Sequence, residues 1–127
     1  MKQPNEQASV SPFMSREFAR VYEDMAHRIT GPVSLTALDL VGPIGPGIAV
    51  LDIAAGTGAL SVPAAQRGAA VTAVDISPGM VERLSAKLAG FPSCTSLVAD
   101  GQRLSLPEDS FDATFSIFGV ITFADWR

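Results

Sequence analysis

Apolar side chains change their rhythm along this chain, and the change divides it. Up to residue 14 the positions are mostly polar and broken by Pro4 and Pro12, a tail with no repeating face. From about Ser15, Phe18, Val21, Tyr22 and Met25 recur at three- and four-residue steps, which predicts a helix with one apolar stripe turned inward. Gly31-Pro32 punctuates that pattern, a second short helix is expected over 34–41, and GPIGPG at 42–47 makes a stiff turn.

Past that turn, strand and helix patterns alternate. IAVLDI at 48–53 is a continuous apolar run with one acid, the composition of a strand buried on both faces of a parallel sheet. AAGTG at 54–58 leads into a helix expected to stop at Gly68, and AVTAVD at 70–75 is a second strand. Ser77 can cap a helix opened by Pro78, with Met80, Val81, Leu84 and Leu88 on its inner face and Gly90 and Pro92 ending it. Thr95 to Ala99 is a third strand ending at Asp100, LPEDSFD at 106–112 a loop, and Ala113 to Phe118 a fourth strand. This succession predicts an α/β, Rossmann-like doubly wound parallel sheet in a single domain. Its parts are a polar tail at 1–14, N-terminal helices at 15–41 and the α/β part at 48–127.

Composition narrows the partners. Nine basic against thirteen acidic side chains give a net charge of −4, which argues against nucleic acid as a partner. Mean hydropathy is high at +0.29, yet Gly, Pro or Asp breaks every apolar run short of about 20 residues, so no membrane span is expected. The start, MKQPNEQASVSP, lacks the apolar core of a signal peptide. A lone cysteine, Cys94, cannot close an internal disulfide and fits a reducing cytoplasm.

The chemistry concentrates in VLDIAAGTGALS at 50–61. Gly56 and Gly58 let backbone approach a ligand where a Cβ would stand, and they precede a helix whose first N–H groups are free. Three acids sharpen this: Asp52 near the end of the first strand, Asp75 at the end of the second and Asp100 at the end of the third. Parallel strands point their carboxyl ends the same way, so the three carboxylates converge on the crevice where such folds bind ligands. Asp75 lies 17 residues beyond Gly58, near the spacing of an acid that grips ribose hydroxyls. An aspartate at a strand end also turns the chain or caps a helix; three at one edge beside GTG favour a ligand site.

On these blocks the sequence resembles the class I S-adenosylmethionine-dependent methyltransferases, in particular their small-molecule branch. The resemblance is strong from Val50 to Phe118. VLDIAAGTGALS is similar to the family's acid-and-glycine loop, AVDISPGMVERLSAKL to its second block, and VADGQRLSLPEDSFDATFSIFGV to its third and fourth. It implies a strand order of 3-2-1-4, S-adenosyl-L-methionine as cofactor and a small-molecule methyl acceptor. By the same resemblance Asp52 orients the methionine ammonium, with Ala54, Gly56, Thr57 and Gly58 admitting the cofactor. Asp75 binds the ribose, Ile76 flanks the adenine and Met80 touches it. Asp100 and Gly101 address the adenine amino group, Phe118 lies beside the methionine end, and Tyr22 covers the cofactor from the N-terminal helices. Ala54 departs from the motif, which has its first glycine there. No residue is assigned as catalytic, and no metal site is predicted.

Two other readings stand beside this one. One is a catalytically silent S-adenosylmethionine-binding or dimerisation module. The other is an NAD(P)-dependent oxidoreductase, disfavoured because Ser61 takes the last glycine position of G-x-G-x-x-G and Asp52 would repel a pyrophosphate. His27 fits a solvent-facing role better than a general base, and Cys94 that of a small apolar filler. The resemblance also implies a seven-stranded sheet, of which this chain holds the cofactor half. ATFSIF is then an exposed edge, expected either to pair with a second copy or to continue in a longer protein.

Overall fold

The computed structural model describes residues 16–107 and 109–117. Its elements are α1 (Arg16–Val41), β1 (Ala49–Ile53), α2 (Ser61–Gln66), β2 (Ala70–Asp75), α3 (Pro78–Leu88), β3 (Thr95–Val98) and β4 (Ala113–Phe115). The four strands form one parallel sheet in the order β3-β2-β1-β4, a Rossmann-like arrangement and the one the resemblance implies. Strand β1 lies at the centre with Val50, Leu51 and Asp52 buried, which is why its sequence reads as an unbroken apolar run. The core beneath it joins Val50, Val71, Leu60, Leu84 and Leu88 to Leu38 from α1 and Phe115 from β4. Asp112 pins the start of β4, its side chain accepting from Ala49 N and its own N–H donating to Ala49 O, both at 2.8 Å.

Helix α3 forms as its sequence predicts. Ser77 Oγ accepts from Met80 N at 3.3 Å, Pro78 opens the first turn, and Met80, Val81, Leu84 and Leu88 are buried. Strand β2 spans Ala70–Asp75 as expected, whereas α2, β3 and β4 are shorter than expected. Helix α2 has six residues, because 56–60 form turns before it begins; β3 stops at Val98, and β4 ends at Phe115.

The N-terminal region corrects the sequence reading twice. The expected pair of helices is a single helix, α1, that runs through Pro32. A proline there removes the hydrogen bond to the carbonyl of residue 28. Beyond it Ser34 and Leu38 are wholly buried, and Thr36 Oγ1 donates to Pro32 O at 3.1 Å, so packing and a local bond carry the helix past the break. The second correction concerns the face. Val21 and Met25 are 69% and 53% exposed, whereas Ala19, Glu23, Ser34 and Leu38 turn inward. The helical period is as expected, but the buried face is chosen by Glu23, which makes ion pairs with Arg83 and Lys87 of α3.

Candidate functional site

The carboxyl edge of the sheet carries the site. Asp52 is the last residue but one of β1, Asp75 ends the adjacent parallel β2, and Asp100 stands two residues beyond Val98, which pairs with Asp75. Between the first two strands the chain turns through Ala54, Gly56 and Gly58, at φ of 56°, 59° and 97°. Ala54 thus adopts the left-handed conformation that a glycine at this position would take freely, and its small Cβ is what makes the departure tolerable.

Several bonds hold this turn. Ala55 N donates to Val74 O at 2.9 Å, and Gly58 N to Ala55 O at 3.1 Å. Asp75 accepts from Gly56 N through Oδ2 and from Ser77 N through Oδ1, both at 2.9 Å. The carboxylate therefore braces the glycine turn and the start of α3 together, and each oxygen keeps a second lone pair. A side chain at Gly58 is strained at its φ of 97° and crowded, since a Cβ would lie 2.8 Å from Leu84 Cδ1 and 3.1 Å from Val62 Cγ2. The carbonyl of Thr57 accepts from Lys87 Nζ at 2.9 Å, and Lys87 is in turn paired with Glu23. Burial alone would raise the Glu23 carboxyl, but hydrogen bonds and charge from Lys87 and Arg83 outweigh it and hold it below its ordinary value.

Asp52 is 2% exposed, and its Oδ2 accepts from Ser61 Oγ at 2.6 Å. Burial pushes its carboxyl up to about 7; the Ser61 hydrogen bond opposes the rise and the charge of Asp75 adds to it. Beside it is a small cavity, open to solvent, walled by Asp52, Ala54 and Thr57 from the turn and by Thr30 and Ser34 from α1.

The other residues singled out in the sequence fall as follows. Ile76 is exposed next to Asp75, whereas Met80 is buried on the inner face of α3. Asp100 is half-buried, with Oδ1 accepting from Gln102 N at 2.9 Å, and Gly101 follows it. Tyr22 and His27 belong to α1, with side chains outside the described set; Phe118 is outside the described residues altogether. Cys94 packs against the core, the filler role expected for it. Sequence reasoning missed Ser61, Lys87, Glu23 and Ser34. Arg83 and Lys87 lie one helical turn apart, a basic pair that signals an acidic partner; nothing local marks Ser34. Among the described residues no cluster suits a metal ion, and no helix is long and apolar enough to cross a membrane.

A parallel α/β sheet with a glycine turn and acids at its carboxyl edge is the arrangement in which doubly wound folds bind ligands. The family model described as Methyltransferase domain matches residues 50–127, and the chain belongs to that family, the class I S-adenosylmethionine-dependent methyltransferases. An uncharacterized protein of Mycobacterium tuberculosis is 37% identical over 101 residues, 79% of this chain and 36% of its own length. Nocamycin O-methyltransferase of Saccharothrix syringae is 33% identical over 112 residues, 84% of this chain and 40% of its own. The solved magnesium protoporphyrin IX methyltransferase of Synechocystis, with S-adenosylmethionine bound, is 30% identical at a TM-score of 0.59, over 78% of this chain and 48% of that one. The chain thus spans only 36% to 40% of the length of these two curated relatives.

Proposed function

We propose that this chain carries the S-adenosylmethionine-binding part of a methyltransferase that acts on a small molecule. The observation that supports it best is the placement of Asp52 and Asp75 on either side of the glycine turn, with Gly56 N donating to Asp75 Oδ2 at 2.9 Å. The donor set suits this cofactor. A buried acid attracts an ammonium group and repels a pyrophosphate. An acid whose oxygens each keep a free lone pair can accept from ribose hydroxyls, at about 1.5–3 kcal/mol for each bond to the charged group. An orphaned hydroxyl, that of Ser34, stands on the wall of the same cavity as Asp52.

Asp52 would hold the methionine ammonium, with Ala54, Gly56, Thr57 and Gly58 admitting the amino-acid chain. Asp75 would take the ribose, Ile76 and Met80 the adenine ring, and Asp100 with Gly101 the adenine amino group. Tyr22 and Phe118 complete the proposed set. When bound, the cofactor supplies a methyl group on a positively charged sulfur. The chain's own share is to bind, orient and exclude water, and no residue is assigned as a base. A small-molecule acceptor is in keeping with the nocamycin and magnesium protoporphyrin IX enzymes that the chain resembles.

Calorimetric titration with S-adenosylmethionine and S-adenosylhomocysteine tests the reading, with Asp75→Ala as control. The expected result is binding that the substitution weakens tenfold or more, about 1.4 kcal/mol. A folded chain that binds neither compound would overturn it. Labelled-methyl transfer to a panel of small acceptors then separates an enzyme from a silent binding module.

A further inference from the structure

We propose that Ser34 is a positioning residue for the amino-acid end of the bound cofactor, an assignment that rests on the S-adenosylmethionine reading above. Ser34 is completely buried on α1, and its Oγ has no hydrogen-bond partner. A hydroxyl buried without a partner is destabilising, so its presence here calls for a reason. A mid-helix serine ordinarily escapes that cost by donating to the carbonyl four residues back. Two positions along the same helix Thr36 does so, its Oγ1 donating to Pro32 O at 3.1 Å, whereas the Ser34 hydroxyl does not.

The cavity explains the difference. Ser34 shares its wall with Asp52 and with the Ala54–Thr57 turn, so one side of the cavity holds a carboxylate and another an unused donor. No lysine or arginine is among the described residues that line it. A ligand group that satisfies both sides carries a cation for Asp52 and an acceptor for Ser34. An α-amino-acid zwitterion has this pattern, its ammonium meeting the acid and its carboxylate accepting from the hydroxyl. Asp52 is already held in place from behind by Ser61, so the pair forms a fixed two-point grip. By this assignment α1 contributes directly to ligand recognition and does more than pack against α3.

Two ligands that differ only at that end provide the test. S-adenosylhomocysteine carries the amino-acid group; methylthioadenosine has the same nucleoside and a thioether without it. Both are titrated calorimetrically into the unsubstituted chain and into Ser34→Ala. The substitution is expected to weaken S-adenosylhomocysteine about tenfold, or 1.4 kcal/mol, and to leave methylthioadenosine within about twofold. The thermal midpoint should stay level or rise, because the substitution removes an unsatisfied group rather than a structural bond. Equal weakening of both ligands, or of neither, overturns the role of Ser34 while the cofactor reading stands. A folded, unsubstituted chain that does not bind S-adenosylhomocysteine overturns both.

Discussion

Lys87 Nζ donates to the carbonyl oxygen of Thr57 at 2.9 Å, across 30 residues of sequence, and so ties helix α3 to the middle of the glycine turn. The tie matters because Thr57 lies between Gly56 and Gly58, both at positive φ, so its carbonyl is held between two conformationally free residues. Replacing Lys87 by Met keeps the apolar stem and removes the charge. It should loosen the turn and weaken S-adenosylhomocysteine about three- to tenfold, with only a small fall in melting temperature. A change in melting temperature as large as that of a core cavity, with affinity intact, would show that the contact serves folding alone.

Glu23 anchors the other end of this connection. Its buried carboxylate faces Arg83 and Lys87, which are themselves 39% and 26% exposed, so water shares their charge. Its carboxyl is held below the ordinary value of 4.5. A lowered value means that the stabilisation is complete above that ordinary value and disappears as pH falls through the lower one. Glu23→Gln should cost about 1–2 kcal/mol near pH 7. It should also flatten the acid limb of the melting curve, and circular dichroism melts between about pH 3 and 7 will check this.

The two ends of the glycine turn should respond in opposite directions. Gly58→Ala forces a Cβ to 2.8 Å from Leu84 Cδ1 at a φ of 97°, so both strain and overlap oppose it. Urea unfolding should show a loss of about 2–4 kcal/mol. Ala54→Gly relieves a left-handed alanine at φ 56°. That gain, about 1 kcal/mol, exceeds the unfolded-state entropy that glycine adds by no more than a few tenths, so a slight stabilisation is expected.

Much of this site could be read from the chain because its logic is local. Strand ends place acids, a parallel sheet aligns those ends, and the capping of α3 by Ser77 and Pro78 needs only neighbouring residues. Contacts between distant side chains left no such trace. The apolar positions of α1 gave the right period and the wrong face, since a buried Glu23 paired across to α3 outweighs several exposed methyl groups. Ser61 read as a poor substitute for glycine, yet its hydroxyl holds Asp52 at 2.6 Å. Ser34 follows Pro32, which reads as a break between two helices and so hides that one continuous α1 supplies this wall.

Asp52 should make ligand binding depend on pH near neutrality. Its carboxyl is pushed up to about 7, above its ordinary value of 3.8, chiefly by burial. The sign for stability is then unfavourable: the unfolded chain gives up this proton first, so the contribution of Asp52 falls as pH rises from about 4 to about 7. Binding of an ammonium group runs the other way, because it prefers the ionised carboxylate. Affinity for S-adenosylhomocysteine should increase about tenfold between pH 6 and 8, with a proton released on binding. Calorimetry in two buffers of different ionisation enthalpy measures that proton directly, and Asp52→Asn should abolish both effects.

Ser61 tunes that equilibrium. Its Oγ donates to Asp52 Oδ2 at 2.6 Å inside the core, the shortest route by which the chain stabilises the charged form. Ser61→Ala removes the donor and leaves the carboxylate buried without it, so the Asp52 carboxyl rises further. Three results should follow together. The midpoint of the pH dependence of S-adenosylhomocysteine binding moves upward, affinity at pH 7 drops, and most of the lost affinity returns as the pH is raised by one to two units, as linkage requires. Stability should fall more at pH 8 than at pH 5, since only the ionised carboxylate loses a charge-assisted bond of about 1.5–3 kcal/mol. A loss of affinity that is uniform across pH would instead mean that Ser61 acts through the shape of the turn and not through the charge of Asp52.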